Sequence, residues 1–254
     1  MFKGTSASAG IGIGKAVIVE EAELVITRNE VADAEGEIQR FKGALEKTIA
    51  ATQKMADDLA SRVGEKEAEI MQGHMMLLSD PMLTGEIESS IRNDKVNSEF
   101  AIENICNMYA DMFASMGDEL MQQRATDMRD IKVRMQRTLM GLESVDVSLL
   151  PKGSILVAKD LTPSMTAGIN PENVSGIVTE LGGKTSHSAI LARALEIPAV
   201  VAVNGLMDAV KDGDKVVLDG STGEVFVDPE ASVEKEYEEK RKQFLKDKKE
   251  LEKY

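Results

Sequence analysis

The chain has 254 residues, with 30 Lys and Arg against 44 Asp and Glu, and a formal net charge of −14. This charge excludes nonspecific binding to nucleic acid, which requires a basic surface, and favours a partner with a basic face. A single cysteine, Cys106, excludes an internal disulfide, and no apolar stretch approaches the roughly 20 residues of a membrane-spanning helix. Because the N-terminus also lacks the pattern of a signal peptide, we expect a soluble, cytoplasmic protein.

A glycine-rich stretch precedes the first predicted strand. Gly10, Gly12 and Gly14 alternate with apolar residues, and residues 16–19 have the composition of a short strand. A dinucleotide-binding loop follows a strand and opens a helix, whereas these glycines come before the strand. We therefore predict a plain turn into a strand and not a nucleotide site.

Residues 30–143 have the apolar spacing of helices. The first run places apolar residues at steps of three and four from Ile38 to Leu59. Later runs include Ala68 to Leu78, Ile102 to Met116, with Met112 on the same face, and Met128 to Leu142. Four such runs joined by short turns predict an all-α bundle inserted into the chain.

Two helix starts are predicted within this insertion. Asp80 is suited to cap a helix that begins at Pro81, because Asp accepts from free amides and Pro fits the first turn. Ser98 is predicted to cap the run that follows.

The β pattern returns after Pro151. Short apolar runs occur at 155–158, 176–179, 198–201, 216–218 and 225–227. A helix is predicted between the second and third runs, and the turn formers at 219–223 predict a hairpin between the last two. Residues 1–22 and 144–229 are thus predicted to form one discontinuous α/β unit around the helical insertion.

Residues 231–254 are predicted to form a terminal helix. Val233, Tyr237, Phe244 and Leu251 fall on one of its faces. This pattern fits a helix that packs against the rest of the chain and a solvated helix equally well.

The most informative stretch lies between a predicted strand and an apolar helix. Gly182 and Gly183 let the backbone turn sharply, and Thr185 and Ser186 offer hydroxyl caps for the helix. The amides and dipole of a helix N-terminus favour an anion such as phosphate, and His187 brings a nucleophilic nitrogen there. Neutral imidazole needs no separate base to attack phosphorus. An ordinary capped helix with an idle His has the same composition, so spacing alone leaves both interpretations open.

The motif Gly-Gly-x-Thr-Ser-His, followed by a small residue, apolar helix positions and Ala192-Arg193, resembles the phosphohistidine signature of the phosphoenolpyruvate-utilising enzymes. Together with the helical insertion, nearly the whole chain resembles the N-terminal domain of enzyme I of the bacterial sugar phosphotransferase system. The resemblance implies an α/β phosphohistidine (swivelling) domain with an inserted helical bundle and a C-terminal linker helix. It also implies that His187 is phosphorylated and hands the phosphoryl group to the histidine phosphocarrier protein, as a phosphotransferase.

Further site residues follow from the resemblance. Thr166 matches a Thr that lies beside the active His, which makes it a candidate to orient or release the ring. Lys184 and Arg193 are candidates to attract phosphate, although Arg193 is also suited to pair with a neighbouring acid. These residues join the loop residues at 182, 183, 185 and 186 as the predicted phosphate-binding and His-orienting set.

The resemblance also implies where the carrier docks. The docking surface matches a region of the helical insertion and a basic position beyond it. The residues assigned to it are Glu65, Glu67, His74, Met76, Leu77, Asp80, Leu83 and Arg124. Taken by spacing alone, His74 is more often a helix-surface or core histidine, and the resemblance is what favours docking.

The phosphoenolpyruvate site and the magnesium ligands of the family belong to a separate C-terminal domain. That domain is expected to begin about where this chain stops. We therefore expect no cofactor or metal in this chain, no autonomous use of phosphoenolpyruvate, and phosphoryl exchange with the carrier. The C-terminal domain is the second expected partner, and a monomer is expected because dimerisation belongs to that domain.

Two alternatives stay open. The swivelling domain of a pyruvate phosphate dikinase or phosphoenolpyruvate synthase has a similar signature, but it is compact and lacks the helical insertion. A noncatalytic interaction protein is the other alternative, in which Met-rich helices bind a partner and His187 is only part of a helix cap.

Overall fold

The computed structural model describes residues 1–254, which form two compact units. Residues 1–20 and 145–254 make up the α/β unit, and residues 21–144 make up the helical unit. No helix combines the length and the apolar character that crossing a lipid bilayer would require.

The helical unit contains five helices where the sequence predicted four. They are α1 (Ala34–Arg62), α2 (Glu65–Leu78), α3 (Pro81–Asp94), α4 (Ser98–Ser115) and α5 (Glu119–Leu139). The helix not counted among the four apolar runs is α3, whose start at Pro81 was predicted but whose separate end at Asp94 was not. The predicted cap is confirmed: the Met82 amide donates to Asp80 Oδ1 at 2.9 Å.

The predicted cap at Ser98 is wrong by one residue. Asn97 has the extended backbone that precedes the helix, with φ −65° and ψ 155°. Ser98 is already helical and buried, and its hydroxyl donates to Glu37 Oε1 at 2.8 Å. The hydroxyl therefore joins α4 to α1 and does not cap α4.

The core of the helical unit is apolar but includes polar side chains from α5. Fully buried residues such as Phe41, Ile102 and Ile131 form its centre. Asp130 is buried with them, and Arg134 on the same helix donates from Nη2 to the buried Thr52 Oγ1 at 2.8 Å. Burial lowers the pKa of the Arg134 guanidinium, and the nearby Asp130 carboxylate opposes this change.

The α/β unit is built on one mixed sheet of eight strands. They are β1 (Phe2–Lys3), β2 (Thr5–Ser8), β3 (Ile11–Ile18), β4 (Ser154–Ala158), β5 (Val174–Thr179), β6 (Ala199–Val201), β7 (Lys215–Asp219) and β8 (Glu224–Val227). The order across the sheet is β1-β8-β7-β3-β4-β5-β6-β2. The central strands β3 to β6 run parallel, and the other pairings are antiparallel. The predicted hairpin is confirmed, since β7 and β8 pair across a short turn.

Four helices complete this unit: α6 (Pro163–Ala167), α7 (His187–Ala194), α8 (Leu206–Ala209) and α9 (Ala231–Leu251). Both faces of the sheet are covered. Leu156 and Ala158 face the cluster that includes α7, whereas Ile155 and Val157 face the opposite cluster. This alternation follows from the two-residue period of a strand.

Gly10 turns the chain before β3 with φ +124°, but Gly12 and Gly14 lie within β3, so the predicted turn at residues 10–14 is wrong beyond Gly10. A Cβ at Gly14 would lie 2.0 Å from the carbonyl oxygen of Gly153, and one at Gly12 would lie 2.7 Å from the carbonyl oxygen of Ser175. Gly12 and Gly14 are therefore required by close backbone approach and not by a turn.

The terminal helix α9 packs against the sheet along its first half. Tyr237 is buried against Phe226, with ring centroids 5.1 Å apart, and its hydroxyl donates to Glu224 Oε2 at 2.7 Å. Burial and the Glu224 carboxylate raise the pKa of Tyr237. Leu251, near the end, is 77% exposed, so the predicted apolar face is only partly used.

Candidate functional site

The predicted functional loop connects β5 to α7. The first part of the loop continues the sheet, because the Leu181 amide donates to the Lys159 carbonyl at 2.8 Å. The chain then turns at Gly182, whose φ of +104° is a conformation that side chains rarely adopt. Thr179 Oγ1 donates to the Leu181 carbonyl at 2.5 Å. The turn is therefore held from both sides before the helix begins.

Ser186 caps α7, as the sequence predicted. Its Oγ accepts from the Ala189 amide at 3.3 Å and donates to the Gly183 carbonyl at 2.7 Å. Because this hydroxyl has a single proton, the buried Ser188 Oγ, 3.1 Å away, donates to it. Three hydrogen bonds at one oxygen thus fix the junction between loop and helix.

His187 is the first residue of α7. The helix dipole at this end favours an anion, and the ring is at the position where such an anion would lie. The side chain is half-buried, and both ring nitrogens are covered by protein atoms in this conformation. A group outside the protein can therefore reach neither nitrogen unless the ring turns outward.

Thr166 lies on α6, which packs against α7. The sequence predicted only a capped turn here, whereas the structure has a short helix capped by Thr162. Thr166 is buried, and its Oγ1 donates to the Pro163 carbonyl at 2.8 Å. The structure thus brings the Thr166 helix next to the His187 helix, and a role for Thr166 in orienting the ring stays a prediction.

Arg193 anchors the loop. Its Nη1 donates to the Ala7 carbonyl and its Nη2 to the Lys184 carbonyl, each at 2.8 Å. These bonds join the end of α7 to strand β2 and to the segment before the helix. The guanidinium thus donates to backbone carbonyls and not to an acid, which was one of the predicted pairings. The side chains of Lys184 and Thr185 are exposed.

One ionisable group near this edge of the sheet has a shifted pKa. Asp160 follows β4, and burial raises the pKa of its carboxyl, while a hydrogen bond from the Leu161 amide opposes the rise.

No group of three or more His, Cys, Asp or Glu side chains is arranged to hold a metal ion.

The predicted docking residues divide into exposed and buried positions. Met76 is 67% exposed, and Glu65 is also on the surface. Glu67, Asp80 and Arg124 are partly exposed. These five positions are accessible to a partner of the helical unit.

Three other predicted docking residues lie inside the helical unit. His74 is 0% exposed, Leu83 is 2% exposed and Leu77 is 7% exposed. Their assignment as contact residues does not agree with this burial, because the helix faces that carry them are turned into the core. His74 Nε2 instead lies 3.0 Å from Oδ1 of Asp127 on α5.

Sequence reasoning missed Ser188, Ala7 and Asp127. Ser188 follows the signature His directly, and its small size was read only as a helix position. Ala7 contributes a backbone carbonyl, which no side-chain pattern reveals. Asp127 is an acid in the middle of an amphipathic helix, and its buried position depends on packing against α2.

Two family models match the sequence. The model described as "PEP-utilising enzyme, N-terminal" matches residues 3–124, and the one described as "PEP-utilising enzyme, mobile domain" matches residues 150–223. The first match covers most of the helical unit, and the second covers the site loop.

Curated relatives are phosphoenolpyruvate-protein phosphotransferases. That of Bacillus subtilis (strain 168) is 41% identical over 244 residues, which are 96% of this chain and 43% of the relative. That of Staphylococcus carnosus (strain TM300) is 40% identical over 252 residues, 99% of this chain and 44% of the relative. The chain thus spans less than half the length of these relatives.

Two solved structures have the same fold. An NMR solution structure of enzyme I (nEIt) superposes with a TM-score of 0.84 at 38% identity, covering 96% of this chain and 99% of that chain. A structure described as the N-terminal domain of "Enzyme 1 - Nitrogen" has a TM-score of 0.60 at 25% identity, covering 94% and 98%. Since the helical unit is part of these matches, the chain belongs to the phosphoenolpyruvate-utilising enzymes, as an N-terminal domain of enzyme I.

Proposed function

We propose that His187 takes up a phosphoryl group and exchanges it with a histidine phosphocarrier protein, as the N-terminal part of a phosphoenolpyruvate-protein phosphotransferase. The observation that carries this proposal is the position of His187 at the start of α7, directly after a capped glycine turn. This position combines a nucleophilic nitrogen with the anion-favouring end of a helix.

The transfer is an in-line displacement between two histidines. A ring nitrogen of His187 attacks the phosphorus of the carrier's phosphohistidine, and the P–N bond to the carrier breaks as the new bond forms. The charge on the phosphoryl oxygens is spread, so fixed donors at the helix start stabilise it without a proton transfer. Outward rotation of the His187 ring is the step that exposes the nucleophile.

A protein partner fits this site better than an enclosed small molecule. A cavity of about 790 Å³ in the α/β unit is lined by Lys15, Gly153 and Ser154, at the start of the parallel strands, together with residues of α9. His187 follows the opposite, carboxyl end of β5, and no residue of its loop lines that cavity. We therefore infer that the reacting group is presented from outside by a protein.

The partner is proposed to dock on the exposed positions of the helical unit. Met76 supplies the apolar contact, and Glu65, Glu67 and Asp80 surround it with acidic groups. An apolar centre with a polar rim is typical of transient interfaces. Acidic groups are complementary to a basic carrier face, and Arg124 adds one positive contact.

The remaining expectations belong to the same proposal. A C-terminal domain that follows these residues is proposed to supply the phosphoenolpyruvate site and its magnesium, with no cofactor held by the residues described here. The isolated chain is proposed to be a cytoplasmic monomer. Its second partner is that C-terminal domain.

The test is to mix the chain with phosphorylated carrier and locate the phosphate by intact mass and alkaline-stable peptide mapping. We expect one phosphoryl group on His187, and none on the His187→Gln variant, because that variant lacks the nucleophile. The chain has only two histidines, so His74→Gln is the matched control and should be phosphorylated normally.

Both variants should bind unphosphorylated carrier with the affinity of the original chain, which calorimetry would measure. Phosphate on a residue other than His187, or none on a folded chain offered charged carrier, would contradict the proposal. The second result would favour a docking role without chemistry.

A further inference from the structure

We propose that His74 is a positioning residue for carrier docking. Its buried hydrogen bond to Asp127 fixes the register of α2 against α5, and thereby aligns the two parts of the docking surface. This inference rests on the docking surface of the proposed function, but it assigns His74 a role inside the protein.

The hydrogen bond between His74 and Asp127 joins the two helices beside apolar core positions. His74 is 0% exposed, and its Nε2 donates to Asp127 Oδ1 at 3.0 Å, because carboxylate oxygens only accept. His74 Nδ1 is buried without a hydrogen-bond partner. The neighbouring core positions Met71 on α2 and Met128 on α5 are fully buried and apolar.

A buried polar pair of this kind is a poor source of stability. Removing the imidazole and the carboxylate from water is unfavourable, and apolar side chains of similar shape pack at least as well. The unsatisfied Nδ1 adds to this cost. The best-attested use of such a pair is to select one register, since another alignment would leave the His74 ring buried without its hydrogen bond to Asp127.

The pair lies close to both parts of the docking surface along the helices. Arg124 precedes Asp127 by three residues, a rise of about 4.5 Å on the same side of α5. Met76 follows His74 by two residues on α2. A slip of one turn, about 5.4 Å, would therefore displace Met76 relative to Arg124 by more than a side-chain contact.

Two amide substitutions separate the hydrogen bond from the bulk of the ring. In His74→Gln, the amide nitrogen reaches the place of Nε2 and keeps the donor to Asp127. In His74→Asn, the side chain is too short to reach. We expect the Asn variant to raise the Kd for unphosphorylated carrier at least tenfold, and the Gln variant to stay within threefold, both measured by calorimetry on the full chain.

Kinetics of phosphoryl transfer provide a readout that simple destabilisation would not give. The Asn variant should raise the KM for phosphorylated carrier while kcat stays unchanged, because His187 is untouched. Asp127→Ala removes the acceptor from the other helix and should raise Kd and KM in the same way. If His74→Asn fails to fold, the Asp127→Ala variant tests the inference in its place.

Thr52→Val is the matched control. It removes a different buried polar bond of the same unit, from Arg134 to Thr52, which joins α5 to α1 and not to α2. It should leave the carrier Kd unchanged. An unchanged Kd in the folded Asn or Ala variant, or an equal loss with Thr52→Val, would overturn the inference, whereas no carrier binding by the original chain would instead refute the docking part of the proposed function.

Discussion

The site loop of the α/β unit and the docking surface of the helical unit are built in different ways. Apart from Thr166 on α6, the predicted site residues around His187 lie within one segment, 182–193, which forms a loop and a helix. The proposed docking positions come from α2, from α3 with its cap residue and from α5, between Glu65 and Arg124. A contiguous site is specified by local turn and cap chemistry, whereas a surface assembled from three helices depends on which face each helix buries.

The cores of the α/β unit and the helical unit also differ in how far local sequence determines them. The central strands β4 and β5 bury aliphatic side chains on both faces, so their positions follow from composition alone. In contrast, α5 buries charged and amide side chains, namely Asp127, Asp130, Gln136 and Arg137. Hydrophobic patterning therefore identifies most of β4 and β5, but it misses the edge strands β1 and β2 and part of the buried face of α5.

The sharpest test of this contrast is Phe41→Ala, for which we expect the largest effect on stability. Phe41 is 0% exposed at the centre of the helical core, and removing a buried aromatic ring costs about 3–5 kcal/mol of unfolding free energy. Hydrogen exchange should show lost protection in α1 to α5 and retained protection in β4 and β5.

The exposed neighbour Lys42 provides the control, and Lys42→Ala should change stability by less than about 0.5 kcal/mol. Equal loss of protection in β4 and β5 would show that the two units unfold together. The difference between the local site and the dispersed surface would then not be matched by a difference in stability between the two units.

The docking surface shows where sequence reasoning stops. The resemblance assigned docking to residues of α2, the start of α3 and α5, but it could not tell which side of α2 faces the core. His74 and Leu77 are turned inward, and Met76 between them is turned outward. Met112 and Met116, predicted as core residues of α4, are instead 45% and 52% exposed. Flexible apolar side chains such as Met are stable in both settings, so composition does not distinguish the two.

Adjacent residues on α2 sharpen the comparison. Leu77→Ala should destabilise the helical unit by about 2–5 kcal/mol, because it opens a cavity in the core. Met76→Ala should leave stability within about 0.5 kcal/mol and weaken carrier binding by more than about 1 kcal/mol, roughly fivefold or more in Kd. Thermal unfolding and calorimetry measure the two effects. Unchanged carrier affinity in the Met76 variant would remove Met76 from the docking surface.

The site loop was largely predictable because its chemistry is local. The turn at Gly182, the cap at Ser186 and the helix that starts at His187 all follow from neighbouring residues. The anchor at Arg193 did not follow, because its acceptor at Ala7 is 186 residues away in the chain. Long-range bonds to backbone carbonyls have no sequence signal, so the guanidinium was assigned to phosphate or to an acid.

The two glycines of the loop give the smallest effect and the finest test of this local specification. Gly182 has φ +104°, and a Cβ there would meet nothing closer than 3.6 Å, so Gly182→Ala is penalised by backbone strain and not by a clash. We expect it to cost roughly 1–2 kcal/mol and to slow phosphoryl uptake up to about tenfold, because fewer molecules hold the native turn.

Gly183 is the matched control, since its backbone lies outside the positive-φ region and a Cβ there would have open space. Gly183→Ala should leave uptake within about twofold and stability unchanged or raised by up to about 1 kcal/mol. Rapid-quench transfer from phosphorylated carrier would measure both. Equal rates in the two variants would mean that the turn at Gly182 does not determine the position of His187. The site would then depend on its long-range anchors as strongly as the docking surface depends on helix packing.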